Sequence, residues 1–247
     1  MKMSHKRVLV TGCSGRIGRA VCSELLSRGH TVRGFDIRAH PSLEDSVVGN
    51  LTDANAIEAA MEGIEHVIHL AATPDEADFM SELLPNNVVG VYNILEAARK
   101  AGIQRTVLAS SVQMNWRHEG PFPITVDMPS TPATMYAATK AFAESAGKVY
   151  SIEHGMQVVM VRPGFCPRVQ AHVDMIAVWP DAQDFYFSAG DAGRFFSSIV
   201  DAEFDVAYCV VFGASQWVHR PHLDLETPEE LFGYVPQDKW PDGIVLD

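Results

Sequence analysis

Short runs of β-branched and other apolar residues alternate with longer amphipathic stretches through the first two thirds of the chain. Such short runs are typical of buried parallel strands, and apolar residues at helical spacing indicate helices that cover a sheet. Strands are predicted at Arg7–Thr11, Thr31–Asp36, His66–Leu70, Arg105–Ser110 and Gln157–Arg162, and helices at Ile17–Arg28, Asp53–Met61, Ser81–Lys100 and Met135–His154. The alternation predicts an α/β fold, a doubly wound parallel sheet with a ligand crevice at the carboxyl ends of its strands.

The pattern loosens after Arg162, where prolines divide the chain into short pieces. Only a helix near Ala192–Asp201 and a strand near Val206–Phe212 are predicted in this part. About 85 residues with one helix and one strand are too few for a second independent core. We therefore expect a single domain, residues 1–247, in which residues 7–162 form the main core and residues 163–247 a small C-terminal lobe.

Composition and charge exclude several classes of protein. The chain has 19 Lys and Arg against 31 Asp and Glu, a formal net charge of −12, so nucleic acid is a poor candidate partner. No apolar stretch approaches the ~18 residues of a membrane span. The sequence therefore predicts a soluble protein that binds neither nucleic acid nor membranes.

Neither the cysteines nor the histidines have the spacing of a metal site. The four cysteines are scattered without a C-x2-C pair, which argues against zinc or a disulfide framework and favours a reducing, cytoplasmic setting. His219, His222 and Asp224 lie close in sequence, but a proline separates the histidines and no cysteine or glutamate partner is adjacent. We expect no metal.

The first predicted strand runs directly into a glycine-rich loop, Thr11–Gly18, and then into a helix. Its glycines are spaced G-x-x-G-x-x-G. Gly12 can make the tight turn, Gly15 lets the backbone approach a pyrophosphate, and Gly18 permits close helix packing, while the helix N-terminus offers unpaired N–H groups. The loop predicts a Rossmann dinucleotide site that includes Arg16 and Ile17.

An acidic residue follows this loop at the expected distance. Asp36 lies 18 residues after Gly18, at the end of the second predicted strand, where a carboxylate can accept hydrogen bonds from the adenosine ribose hydroxyls. Because this carboxylate would repel a 2′-phosphate, NAD is favoured over NADP. Arg16 and Arg38 are the counter-argument, since a guanidinium beside the ribose could receive that phosphate.

Three hydroxyl and amine side chains form a candidate catalytic group. Tyr136 and Lys140 are four residues apart on a predicted helix and so share one face. A phenol is a poor base at neutral pH, and a nearby ammonium favours the phenolate. Ser111 follows the fourth predicted strand at the crevice, where its hydroxyl can bind a substrate oxygen beside the phenol.

Motifs across residues 7–164 resemble, in order, those of the extended short-chain dehydrogenases/reductases, the NAD-dependent epimerase/dehydratase family. The matching segments are Thr11–Gly18, Asp36, Gly49–Asp53, His69–Ala72, Asn87 with Val91–Ala98, Ser110–Ser111, Tyr136-x3-Lys140 and Arg162–Gly164. The resemblance implies that residues 7–162 bind NAD and that residues 163–247 bind substrate. It also implies a homodimer through the helices Ser81–Lys100 and Met135–His154.

The resemblance assigns roles to individual residues. It implies Tyr136 as the proton-transferring residue, Lys140 as its electrostatic partner and ribose anchor, and Ser111 as the donor to the substrate oxygen. The cofactor-binding residues it implies, together with the glycine loop, Asp36 and Lys140, are Asn50, Leu51, Leu70, Ala71, Ala72 and Asn87. Asn50 stands where many relatives have Asp.

Within that family, the chain resembles the shorter branch of uronate dehydrogenases, which oxidise a hexuronic acid with NAD. It differs from them at the predicted substrate end: Val112-Gln113 follows Ser111 where the branch has Asn-His, and Phe165 replaces a serine. The segment 171–175 holds no arginine for the substrate carboxylate, and Arg168 is the nearest alternative. The predicted substrate-binding residues are Ser111, Gln113, Tyr136, Phe165 and Arg168, and the predicted substrate is a sugar or sugar acid.

Two other functions remain open at this point. An epimerase, dehydratase or carbonyl reductase would use the same residues with the cofactor retained or run in reverse. A cofactor-sensing protein would keep the fold without the chemistry, although the intact Tyr136 and Lys140 pair argues against it. Trp116, Trp179 and Trp217 are candidates both for pocket walls and for simple packing.

Overall fold

The computed structural model describes residues 5–246, and its centre is a seven-stranded sheet in which every strand is parallel to its neighbours. The strands are β1 (Arg7–Thr11), β2 (Thr31–Asp36), β3 (Ser46–Val48), β4 (His66–His69), β5 (Arg105–Ala109), β6 (Gln157–Pro163) and β7 (Tyr208–Gly213). Their order is β3-β2-β1-β4-β5-β6-β7. The predicted α/β fold with a doubly wound parallel sheet is confirmed.

Helices cover both faces of the sheet. They are α1 (Arg16–Ser27), α2 (Ala54–Ala60), α3 (Gly90–Ala101), α4 (Met135–His154), α5 (Gln170–Val178), α6 (Pro180–Asp184), α7 (Ala189–Asp201) and α8 (Glu226–Phe232). Side chains alternate along β1, so Val8 and Val10 pack against α1 and α7 while Leu9 packs against α2, α3 and α4. The sheet therefore has one apolar core on each side.

The predicted helix Ser81–Lys100 is wrong in its detail. The structure has a π-helix over Phe79–Val89, in which Pro85 lies inside the helix, followed by α3. Proline lacks an N–H group and its ring crowds the preceding turn, so a regular α-helical ladder cannot run through this position. The side chain of Asp78 accepts a hydrogen bond from Ser81 N and caps the segment.

Three short C-terminal helices and the short strand β3 were not predicted. Helices α5, α6 and α8 are nine residues or shorter, too short to give a clear period, and β3 has only three residues. The later elements also join the main body: β7 extends the sheet beside β6, and α7 packs on α1 so closely that a Cβ at Gly193 would lie 2.8 Å from Ala20 O. The division into a core and a substrate lobe remains a prediction.

None of the helices within residues 5–246 combines the length and the apolar character that a membrane crossing requires.

For function, the important feature is the edge where β1, β2, β4, β5 and β6 end. Each strand delivers a loop to this edge, so residues distant in sequence meet there.

Candidate active site

A cleft of about 760 Å³ opens at the carboxyl ends of the strands, with the glycine-rich loop at one end and Tyr136 at the other. The predicted site residues that line it are Gly12, Gly15, Arg16, Ile17, Gly18, Asp36, Asn50, Leu51, Leu70, Ala71, Ala72, Ser111, Gln113, Tyr136, Lys140, Phe165 and Arg168. Residues spread over more than 150 positions of sequence are thus brought to one surface.

Asn87 is the predicted site residue that does not line the cleft. Its buried amide accepts a hydrogen bond from Thr73 N at 2.8 Å, and its Nδ2 donates to Thr73 O and to Thr139 Oγ1. These bonds fasten the loop after β4 to helix α4. The preceding residue, Asn86, lines the cleft instead.

The geometry of the glycine loop leaves no room for side chains. Gly12 has φ of +70°, and a Cβ there would lie 2.7 Å from Ala71 N. A Cβ at Gly18 would lie 2.0 Å from Gly12 O, so α1 can begin this close to β1 only with glycine at that position. The N-terminus of α1 therefore lies directly beside the end of β1 at the cleft, and the unpaired N–H groups of a helix N-terminus suit a pyrophosphate.

Asp36 is held at the end of β2 by the backbone of two loops. Its Oδ2 accepts a hydrogen bond from Ser14 N at 3.0 Å, and its Oδ1 accepts one from Arg38 N at 3.1 Å. The carboxylate is nearly buried and lines the cleft between the glycine loop and Arg38. A fixed acceptor in this position fits the ribose hydroxyls of a dinucleotide.

Ser111, Tyr136 and Lys140 lie together at the other end of the cleft. Thr134 caps α4 by accepting from Ala137 N, and Glu76 Oε2 accepts from Tyr136 N at 2.9 Å, so the first turn of α4 is fixed. Ser111 Oγ accepts a hydrogen bond from Gln113 N at 3.1 Å, and the Ser111 hydroxyl lies close enough to the Tyr136 phenol to lower its pKa. Lys140 Nζ lies 5.5 Å from the centre of the Tyr136 ring.

Burial dominates the electrostatics of the tyrosine and the lysine. Burial and the nearby Asp75 carboxylate raise the pKa of Tyr136 to about 12, against the lowering effects of the Ser111 hydrogen bond and the Arg168 charge. Burial lowers the pKa of Lys140 to about 8. Its ammonium donates to Ala109 O at 2.9 Å. The sequence predicted a lowered phenol pKa, but in this structure the loss of solvent outweighs the lowering effects of Ser111 and Arg168.

Sequence reasoning missed Asp75, which lies beside Tyr136 in the cleft. Its carboxylate forms an ion pair with Arg168, and Gln113 Nε2 donates to its Oδ1 at 3.4 Å. Its φ of +61° is in the left-handed region, where glycine, Asn and Asp are the usual residues. The available signal was its position in the loop after a predicted strand end, where crevice residues are expected.

Aromatic and other apolar side chains form part of the cleft wall. Trp116 and Phe165 line the cleft, together with His172 and Met175 of helix α5. Trp116 packs edge-on against Trp179 at 5.3 Å, and the rings of Phe165 and His172 lie 5.4 Å apart. One of the three candidate tryptophans therefore forms part of the wall and a second supports it from behind.

His222 has a local structural partner. Its buried ring forms a hydrogen bond through Nδ1 with Asp184 Oδ2 at 3.1 Å, and Asp184 also accepts from Val218 N and His219 N. These bonds tie the loop before α8 to α6. Within residues 5–246, no cluster of three or more His, Cys, Asp or Glu side chains is arranged to hold a metal ion.

Comparison with known proteins shows that this chain is similar to NAD-dependent enzymes. The profile of the NAD dependent epimerase/dehydratase family matches residues 8–165. A uronate dehydrogenase of Agrobacterium fabrum is 32% identical over 243 residues, covering 94% of this chain and 85% of that protein. An L-arabinose 1-dehydrogenase (NAD(P)(+)) of Haloferax volcanii is 33% identical over 248 residues, covering 94% and 96%.

The structural comparison agrees with the sequence comparison. The crystal structure of a mutant uronate dehydrogenase from Agrobacterium tumefaciens complexed with NAD has a TM-score of 0.77 to this chain. The identity is 27%, and the match covers 95% of this chain and 86% of that one. The similarity therefore extends over the sheet, the cleft and the C-terminal elements.

Proposed function

Because this chain belongs to the NAD dependent epimerase/dehydratase family, we propose that it is an NAD-dependent oxidoreductase that oxidises a hydroxyl of a sugar or sugar acid. The predicted resemblance to that family and to its uronate dehydrogenases is confirmed by the comparisons. The observation that carries the proposal is one continuous cleft with a glycine loop at one end and Ser111, Tyr136 and Lys140 at the other.

The residues at the glycine-loop end of the cleft fit a dinucleotide. The glycine cradle, in which a Cβ at Gly12 or Gly18 would collide with backbone, would hold the pyrophosphate, and Asp36 would hold the adenosine ribose. Asn50 and Leu51 would line the adenine pocket, and Lys140 would anchor the second ribose. When bound, the nicotinamide supplies the hydride acceptor of the reaction.

The chain's own residues handle the proton. The phenolate of Tyr136 is the form that removes a proton from a substrate hydroxyl, and the phenol is the form that returns one to a carbonyl. Lys140, with a pKa of about 8, is still protonated at neutral pH and brings positive charge within 5.5 Å of the ring. The Ser111 hydroxyl, which already contacts the phenol, would hold the substrate oxygen beside it.

Stoichiometric release of NADH is the test of this function. We expect absorbance of NADH to appear when the protein, NAD and a panel of aldoses and uronic acids are mixed, with one NADH formed for each sugar oxidised. An epimerase or dehydratase would convert the sugar without net NADH. A carbonyl reductase would instead consume NADH with a carbonyl substrate, and a sensor would bind NAD and turn over nothing.

NAD should bind more tightly than NADP, by about tenfold or more, because the fixed Asp36 carboxylate would face the 2′-phosphate. Calorimetric titration of both cofactors measures the difference. Asp36→Ala should narrow it, since the substitution removes both the repulsion and the acceptor for the ribose hydroxyls. Tighter binding of NADP to the unsubstituted protein would show that Arg16 or Arg38 decides cofactor choice.

A homodimer is part of the proposal. Helix α4 exposes Phe142 and Val149, which are seven residues apart and so share one face, and α3 exposes Tyr92. Exposed apolar residues on adjoining long helices are typical of a two-fold interface.

The four cysteines lie in no disulfide, which suits the proposed cytoplasmic location.

Sedimentation velocity should show a dimer at micromolar concentration. A protein with Phe142→Glu and Val149→Glu should sediment as a monomer, because two carboxylates per protomer would be buried without partners. Val178→Glu is the matched control: Val178 is 83% exposed on α5, away from α3 and α4, and the substitution should leave the dimer intact. A monomeric unsubstituted protein would refute the dimer.

A further inference from the structure

At the substrate end of the cleft, the cation and the anion that could bind a substrate already form an ion pair with each other. Arg168 contacts the Asp75 carboxylate, and Gln113 Nε2 donates to the same carboxylate at 3.4 Å. Both members of the pair line the cleft and stay partly open to it, with side chains 34% and 46% exposed. Groups that enter this end therefore meet a donor and an acceptor side by side.

The charge at this end does not favour a second carboxylate. The guanidinium of Arg168 is committed to Asp75, and Lys140 donates to Ala109 O behind the tyrosine. Glu76, which follows Asp75, adds another negative charge at the start of α4, where its carboxylate accepts from Tyr136 N. An acidic sugar would have to displace Asp75 from Arg168 and would still lie beside the Asp75 carboxylate.

The same cleft also has an apolar lining. Trp116, Phe165 and Met175 line it, and the ring of Trp116 packs edge-on against Trp179. Aromatic rings pack well against the C–H faces of sugars, and the Asp75–Arg168 pair in the same cleft can bind their hydroxyls. The site therefore offers both apolar contacts and hydrogen-bonding groups, and an uncharged sugar ring has both C–H faces and hydroxyls to match them.

Building on the proposed dehydrogenase function, we propose that the substrate is a neutral aldose rather than a hexuronate. Two neighbouring hydroxyls of the sugar donate to the Asp75 carboxylate and accept from the Arg168 guanidinium, while the C–H face packs on Trp116. Asp75 is then the residue that determines specificity, because it both binds the neutral sugar and neutralises the cation that a carboxylate would need.

Matched sugar pairs test this inference. D-Galactose and D-galacturonate differ only at C6, as do D-glucose and D-glucuronate, and each pair is compared by kcat/KM from NADH formation. The neutral member should be better by about tenfold or more. Turnover of the uronates in preference would overturn the inference and leave the proposed sugar oxidation standing. Turnover of no neutral or acidic sugar would overturn both.

The variant Asp75→Asn assigns the discrimination to the ion pair. Asn keeps a short polar side chain that tolerates the left-handed backbone at this position, so the loop should fold normally. The freed Arg168 should raise kcat/KM for the uronate, while loss of the charged acceptor should raise KM for the neutral sugar. The ratio of kcat/KM for the neutral sugar to kcat/KM for the uronate should fall by about tenfold.

Asp45→Asn is the matched control. Asp45 is 45% exposed and pairs with Arg33 at 2.9 Å, but it lies outside the cleft. The same loss of charge and of an ion pair there should leave the neutral-to-acid ratio unchanged. An Asp75→Asn protein whose ratio equals that of Asp45→Asn would overturn the assignment of specificity to Asp75.

Discussion

Replacing Tyr136 with phenylalanine should lower turnover by about 100-fold or more and leave the affinity for NAD almost unchanged. The substitution removes the only atom of this side chain that can exchange a proton, while the ring keeps its buried packing beside Ser111 and Lys140. Steady-state NADH formation on the best substrate measures the first quantity, and calorimetric titration measures the second.

Two companion variants separate proton transfer from binding. Ser111→Ala should lower turnover without changing NAD affinity, because its hydroxyl contacts the phenol and not the cofactor end of the cleft. Lys140→Met should lower both, since the ammonium supports the phenolate and would also bind the nicotinamide ribose. A Tyr136→Phe protein with a near-normal rate would contradict the proposed chemistry and favour a different proton acceptor.

Sequence periodicity was sufficient to predict the part of the fold that carries the cofactor end. Short runs of β-branched and apolar residues mark buried strands, and β1 and β2 were predicted with their observed bounds. Helix α4 was also predicted with its observed bounds, from its amphipathic spacing. The glycine loop was predictable for a related reason. Its function depends on local backbone geometry. Because a Cβ at Gly12 or Gly18 would collide with the backbone, glycine is required at both positions, and this requirement can be read from the sequence.

The substrate end was less predictable because it depends on contacts between distant residues. Asp75 and Arg168 are 93 positions apart, and neither belongs to a local pattern that marks an ion pair. Sequence reasoning identified Arg168 as a cation for a substrate carboxylate, whereas the structure shows that guanidinium bound to Asp75. Short helices such as α5, which supplies His172 and Met175, also carry too few turns to show a period.

A buried ion pair holds the catalytic helix against the sheet. Arg162 on β6 donates from Nε and Nη2 to the two carboxylate oxygens of Glu144 on α4, each at 2.8 Å. Ser110, next to Ser111, donates to the same carboxylate at 2.6 Å, and Arg162 Nη1 donates to Asn115 Oδ1 at 2.9 Å. The network therefore links α4, which carries Tyr136, to the loop that carries Ser111.

Glu144→Gln should destabilise the folded protein by about 3–5 kcal/mol, because Arg162 would remain buried with its charge uncompensated. Chemical denaturation at one fixed protein concentration measures the loss of unfolding free energy. The matched control is Glu58→Gln, which breaks the Glu58–Lys100 pair, whose side chains are 43% and 49% exposed. Solvent screens that pair, so its loss should cost less than about 1 kcal/mol. Equal costs for the two variants would contradict the role given to the buried pair and would leave the packing of α4 on β6 as the main attachment of the catalytic helix.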